Sequence, residues 1–310
     1  MFKKQNLAIV IPSTGNKKNL DNCLKSIAKQ TITPEKIIII IPKGKIYISR
    51  YKNIEVYYSS IKNQVAQRNI GISKLKKNIK ILIQLDDKII LDKKAIEFIL
   101  KCWNRNYKRN IAGIGFNQIN KKKSKKVFYS DNSFLSYLFT KIYQKYKIFT
   151  PGSVLTNGIC IQYENLSKFT KVFWLKGGLC SYDLSKVKKN IYNRKFPVIP
   201  WSVCEDLIFS FSLTKKYNLY VCSDAKASII DIESKNYSFK YDYERGKLYS
   251  QNLKYFIKIN IELSFFLFLI TTIILFFSGL ARGVLTLNLR MICRNFGRLV
   301  GFFLPILFNK

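Results

Sequence analysis

Two pairs of adjacent carboxylates stand out as residues that could do chemistry. The first ends an apolar run, ILIQLDDKII (Ile81–Ile90), as Asp86 and Asp87; the second, Glu205 and Asp206, opens CEDLIFSFSL. Neighbouring carboxylates repel, so keeping both ionised favours a cation beside them. A hard divalent cation takes oxygen ligands, and Mg²⁺ is commonly held by one or two carboxylates together with substrate phosphates and water. On two residues alone, a solvated pair closing a loop is the favoured reading. The second pair also has two readings. Acids in the first turn of a helix offset its macrodipole, and a carboxylate fixed at a helix start can take a proton from an attacking hydroxyl. The chain contains no histidine. Acid–base work near neutral pH therefore falls to carboxylates, Lys, Tyr or Cys, and histidine triads and histidine metal sites are excluded. The seven cysteines form no CxxC pair. A zinc ribbon or a redox motif is not expected, and scattered single thiols suit a reducing cytoplasm.

The elements around these pairs follow from periodicity. Leu7–Ile11 (LAIVI), Ile37–Ile41 (IIIII), Ile54–Tyr58, Ile79–Leu85 and Ile111–Phe116 are short apolar runs, the pattern of strands covered on both faces. Between them, Asn19–Gln30 and Gln64–Leu75 have helical spacing, and Asp92 is the expected N-cap of a helix through Trp103. Buried strands alternating with amphipathic helices predict an α/β fold with a mostly parallel, doubly wound sheet. In such sheets ligands sit beyond the carboxyl ends of the strands, which is where Asp86 and Asp87 fall.

Charge and hydropathy describe the surroundings. Lys and Arg number 54 against 18 Asp and Glu, a formal charge of +36, which favours anionic partners: phosphorylated small molecules, lipid headgroups or nucleic acid. The positive charge is spread along the chain and no nucleic-acid-binding motif shows, so nucleic acid is not expected. The apolar run Leu7–Ile11 is too short for a signal peptide. Leu263–Leu280 (LSFFLFLITTIILFFSGL) carries no charge over eighteen residues. As a helix it would reach about 27 Å, enough to border on a bilayer crossing. A full crossing, a hairpin returning through Leu299–Phe308 and an in-plane helix all fit. The aromatic and lysine mixture at Phe134–Phe149 fits either a core or a membrane surface.

Taken in order, PSTGN after the first strand, NQVAQRNIG (Asn63–Gly71), LDDK, WLKGG (Trp174–Gly178), CED and DYERGKLY (Asp242–Tyr249) resemble the inverting family 2 glycosyltransferases of the GT-A fold, over most of Leu7–Tyr249. The resemblance implies a GT-A catalytic domain over 1–254, with a nucleotide-binding half at about 1–90 and an acceptor half at about 91–254, followed by a membrane segment at 255–310. It implies a nucleotide-diphosphate sugar as donor and a hydroxyl of a lipid-linked or cell-surface glycan precursor as acceptor. Pro12, Ser13 and Thr14 would border the base, Arg68 would position the nucleotide, and Asp86 would face the ribose or base. Asp87 would ligate Mg²⁺ or Mn²⁺ at the diphosphate. Asp206, with Glu205, would form the catalytic pair, and Trp174, Gly177 and Gly178 would lie on the acceptor side. The chain departs from the family at three places. Pro42-Lys43-Gly44 stands where an aspartate usually follows the second strand, Ser228-Ile229-Ile230 where a late histidine is common, and Ser212 where many relatives have arginine. The absence of Q-x-x-R-W implies transfer of one sugar at a time. The expected location is the inner membrane with the catalytic domain on the cytoplasmic side. The alternative is a catalytically inactive membrane scaffold on the same fold.

Overall fold

The computed structural model describes residues 1–49, 51, 53–120, 150–187, 203–230 and 238–305. Phe134–Phe149 and Ile230's neighbours at 231–237 lie outside them. The chain divides into two compact units, Met1–Lys122 with Tyr163–Asp231, and Lys123–Gln162 with Ile232–Lys310.

In the first unit, β1 (Leu7–Pro12), β2 (Lys36–Pro42), β3 (Ile54–Ser59) and β4 (Ile81–Leu85) form a parallel array in the order β3-β2-β1-β4. The sheet continues through β8 (Leu179–Asp183), β6 (Ile111–Gln118), β9 (Asn218–Ile229) and β5 (Ile89–Leu91), with β7 (Thr170–Val172) paired to β9. β8 runs antiparallel to both β4 and β6, while β6 and β9 are parallel. The expected mostly parallel α/β sheet is therefore present, with β8 inverted in its middle and the short β5 and β7 antiparallel to β9. That inversion matters for function. Because β8 runs against β4, the turn leading into β8 meets the carboxyl end of β4, and the Asp86 N–H donates to the Gly178 carbonyl at 2.9 Å.

Helices α1 (Lys17–Ala28), α2 (Gln64–Ser73) and α3 (Ala95–Arg105) cover the sheet, and α4 (Glu205–Leu213) follows later in the chain. Asn16 caps α1 and Asn63 caps α2, each side-chain oxygen accepting first-turn N–H groups. The core is dense in isoleucine: Ile9, Ile11, Ile39, Ile41, Ile81 and Ile83 have no exposed surface. Gly71 lies in the last turn of α2. A Cβ there would stand 2.5 Å from Val10 Cγ1 and 2.6 Å from Ile40 Cδ1, so the glycine seats α2 directly on β1 and β2. Asp92 is not the cap of α3. The helix starts after Lys94 without a side-chain cap, because Ile89–Leu91 pairs with β9 and holds the chain extended just before it. This short strand escaped the periodicity reading; three residues are too few to show alternation.

In the second unit, α5 (Phe239–Lys258), α6 (Phe265–Leu285) and α7 (Leu289–Phe303) pack together. The boundary expected after residue 254 falls inside α5, which is one continuous helix capped by Ser238. The compact division assigns all of α5 to the second unit. The physical reason is close backbone packing: a Cβ on Gly246 would lie 2.1 Å from the Arg294 carbonyl oxygen, and one on Gly297 2.0 Å from that of Tyr243.

Candidate active site

The site lies in the first unit, at the carboxyl edge of the parallel strands. β1 ends in Pro12, and the chain turns through Ser13 and the exposed Thr14. The buried Ser13 hydroxyl donates to Asp87 Oδ2 at 2.5 Å, and the Gly15 N–H donates back to that hydroxyl at 3.0 Å. The Thr14 backbone N–H also donates to Asp87. Burial pushes the Asp87 carboxyl above its ordinary range, and these hydrogen bonds pull it back. Asp87 is therefore a buried carboxylate held from one side by two donors.

Its neighbour Asp86 has a different task. Arg68, on α2 and 1% exposed, donates from Nη2 to Asp86 Oδ1 at 3.2 Å and from Nη1 to Glu205 Oε1 at 3.1 Å. One planar guanidinium thus ties the end of β4 to the start of α4, a geometry that lysine cannot reproduce. Gln64, one helical turn before Arg68, donates to the same Asp86 oxygen at 2.6 Å. Gln67 donates to the Ser13 carbonyl at 3.0 Å. Sequence reading of NQVAQRNIG singled out Arg68 alone. The spacing of Gln64 and Arg68 at i and i+4 was the available sign that both share one helix face.

Glu205 and Asp206 open α4 directly after Cys204, a non-glycine residue in the left-handed region (φ 68°, ψ 9°). Such a conformation is strained and is maintained by its surroundings. Glu205 is buried, and burial, reinforced by the Asp206 charge, raises its carboxyl to about 8 despite Arg68. Near neutral pH Glu205 thus holds its proton in large part. Asp206 is half-buried; its Oδ2 accepts from the Gly177 N–H at 3.1 Å and its Oδ1 from the Leu207 N–H at 2.9 Å. Burial lifts its carboxyl above the usual range, opposed by the Gly177 N–H and Arg68. Burial thus raises both acids, Glu205 against the Arg68 guanidinium and Asp206 against two backbone donors.

The turn before β8 closes this arrangement. A Cβ on Gly178 would lie 2.1 Å from Asp86 Cγ, and one on Gly177 2.8 Å from Asp206 Cβ and 2.9 Å from Arg68 Nη1. Neither glycine has a positive φ among those the backbone shows. Their role here is to admit Asp86, Arg68 and Asp206 to one turn. Trp174 is placed differently from the rest: it is 2% exposed and tilts against Tyr163 with ring centroids 5.1 Å apart, bracing the turn from within. Lys176 was not anticipated. Its Nζ donates to Gln118 Oε1 at 2.7 Å and Glu164 Oε1 at 3.3 Å over the Tyr163 ring, and burial lowers its basicity. β2 ends in Pro42, and Lys43 and Gly44 turn directly after it, with Gly44 at φ 88°. Ser228 and Ile229 sit on β9 opposite β5, and Ser212 is an exposed residue of α4.

No protein-family model and no curated protein matches the chain by sequence. Solved structures do share its fold. S. aureus TarS is 13% identical with a TM-score of 0.50, over 79% of this chain and 39% of that one. GalNAc-T7, in a crystal structure with UDP, GalNAc and Mn²⁺, is 12% identical with a TM-score of 0.53, over 81% of this chain and 47% of that one. The chain thus spans less than half the length of either structure. At these identities the likeness shows the fold, and that fold is of the GT-A glycosyltransferase type.

Proposed function

We propose that the chain is a metal-dependent inverting glycosyltransferase that moves one sugar from a nucleotide-diphosphate sugar to a hydroxyl of a lipid-linked or cell-surface glycan precursor. The observation that carries this reading is the convergence of Ser13, Arg68, Asp86, Asp87 and Asp206 at the carboxyl edge of β1 and β4, around the glycine turn that leads into β8. The GT-A-type fold, and the UDP, GalNAc and Mn²⁺ in the GalNAc-T7 structure, support the same class of donor.

The residues fit Mg²⁺ or Mn²⁺. Asp87 supplies hard oxygen, its burial makes a bare charge unfavourable, and its Ser13 and Thr14 donors leave the carboxylate oriented. Among the described residues no group of three or more acids, cysteines or histidines forms a complete cage. Diphosphate oxygens and water would complete the coordination of such a cation. A cation bound there would offset the charge that develops on the departing nucleoside diphosphate.

The chain's own residues do the rest. Arg68 holds Asp86 at the nucleotide side and Glu205 at the sugar side in one rigid bridge. Asp206, fixed by the Gly177 N–H, takes the proton from the acceptor hydroxyl as that oxygen attacks the anomeric carbon. Glu205 remains protonated beside it, so a second negative charge does not build up next to the base. One displacement from the opposite face inverts configuration and needs no enzyme nucleophile. Membrane attachment through the 255–310 region, with the catalytic part on the cytoplasmic side, would bring the site to a lipid-linked acceptor.

The competing reading, an inactive scaffold on the same fold, is favoured by Pro42-Lys43-Gly44 in place of an acid after β2. One experiment separates them: nucleoside diphosphate release from UDP-, GDP- and dTDP-sugars with Mg²⁺ or Mn²⁺ and membrane extract as acceptor. Turnover with one donor, lost in both Asp87→Ala and Asp206→Asn, supports the transferase. Absence of donor binding across the panel, unaffected by Asp87→Ala, supports the scaffold.

A further inference from the structure

Phe265–Leu285 is long and apolar enough to cross a membrane, with a mean hydropathy of 2.1. At 21 residues α6 reaches about 31 Å. Its two sides differ. Phe268, Thr272, Phe276, Gly279 and Gly283 are buried, whereas Phe266, Ile270, Ile273, Phe277 and Val284 are exposed, Phe266 by 67% and Phe277 by 61%. The exposed set recurs every three or four residues until the last turn, which makes one continuous apolar stripe.

The buried side is occupied by α7 along its length, antiparallel to α6. A Cβ on Gly283 would meet Ile292, one on Gly279 would meet Asn295, Phe276 packs on Phe296 at 5.4 Å, and Phe268 on Phe302 at 5.4 Å. On α5 and α7 the charges lie at the same levels. Asp242 has no exposed surface and accepts from both Arg290 and Arg294, Arg298 lies over the Tyr249 ring at 5.2 Å, and Lys254 Nζ donates to the Phe302 carbonyl at 2.7 Å. Gly246, Gly297 and Gly301 bring the α5 and α7 backbones too close for any Cβ, so these two helices move as one body.

A crossing by α6 would carry Asp242, Arg290, Arg294, Arg298 and Lys254 to hydrocarbon depth with it. Charges at that depth are strongly disfavoured. We propose that α6 lies in the plane of the membrane, with the Phe266–Val284 stripe sunk into one leaflet of an anionic phospholipid bilayer and α5 and α7 on its aqueous side. The occupant follows from charge as well as shape. Arg282 stands half-buried in the last turn of α6 itself, and the chain carries +36 overall, which suits acidic headgroups. This deepens the membrane-attached reading given above and rests on it.

The test uses the full chain bound to phosphatidylcholine vesicles containing phosphatidylglycerol, with a membrane-impermeant maleimide added outside and labelling read by peptide mapping at each introduced cysteine, apart from the chain's own seven. Glu262→Cys and Thr286→Cys bracket α6, and Lys108→Cys reports the side of the first unit. An in-plane helix labels all three before detergent is added. Thr286→Cys protected until detergent, with the other two labelled, means that α6 crosses or turns back within the bilayer, and overturns the in-plane placement alone. The second arm is Phe266→Glu/Phe277→Glu, changed on exposed positions that contribute least to the helix packing. Its vesicle-bound fraction is expected to fall at least about tenfold; unchanged binding overturns the stripe as the contact surface. Failure of the unaltered chain to bind vesicles at all refutes the membrane reading itself.

Discussion

The Gly178→Ala substitution tests the site's construction most directly. A Cβ at this position would stand 2.1 Å from Asp86 Cγ and 2.3 and 2.4 Å from its two oxygens, where ordinary contact begins at 3.4 Å. Asp86 cannot turn away freely, because Gln64 and Arg68 hold Oδ1 and its N–H is bonded to the Gly178 carbonyl. Either the β8 turn or the carboxylate must retreat by more than an ångström. Overpacking of this kind costs about 1–3 kcal/mol. For a domain of 150–250 residues that lowers Tm by roughly 2–12 °C. A displacement of about 1 Å in a positioning group costs on the order of 10²-fold in rate. The assay pairs calorimetric melting with nucleoside diphosphate release for Gly178→Ala, Asp86→Ala and the double variant. Removing the Asp86 carboxylate removes the three atoms that would collide. The double variant should therefore melt within about 1 °C of Asp86→Ala while remaining inactive, a non-additive cycle. Gly178→Ala with turnover within about threefold of the unaltered chain, or purely additive melting losses, would refute the claim that the glycine exists to admit Asp86.

Asp206→Asn should lower kcat by about 10²–10⁴-fold with donor affinity nearly unchanged, as loss of a general base does; isothermal titration with donor and single-turnover rates separate the two. Glu205→Gln tests a pH effect. Glu205 rises from an ordinary value near 4.5 to about 8 on folding, so between these values the folded chain binds more protons than the unfolded one. Its contribution to stability is full below about 4.5 and is lost as pH rises through about 8, and a Tm–pH series should lose that slope in Glu205→Gln. Asp87→Ala should abolish Mn²⁺-dependent donor binding in titration calorimetry while leaving the metal-free Tm unchanged or higher, because it removes a buried carboxylate whose charged form is disfavoured. Arg68→Lys should reduce turnover at least about tenfold, since an ammonium cannot hold Asp86 and Glu205 in the bidentate arrangement.

The sequence by itself determined β1, β2, β4 and β6 as buried strands and placed β3, which lies at the sheet edge and is only half-buried. Isoleucine runs such as Ile37–Ile41 can be hidden only between two covering layers, and the helical spacing of their neighbours supplies those layers. It also located the two acid pairs at element ends, Asp86-Asp87 after an apolar strand and Glu205-Asp206 at a helix start, because such charges cannot continue into a buried strand. Tertiary structure decided how the two pairs divide their work. Asp86 and Glu205 are 119 positions apart in number, and Arg68 on a third element joins them. The antiparallel course of β8 likewise has no local signature. The sequence places a turn at Tyr182-Asp183, whereas both lie in β8, and the direction of that strand alone sets Gly177 and Gly178 against Asp86, Arg68 and Asp206. The Glu205 proton, too, follows from burial beside Asp206 and not from residue type. Periodicity is a property of neighbours along the chain, whereas desolvation and charge coupling belong to neighbours in space, and those are fixed only when the sheet closes.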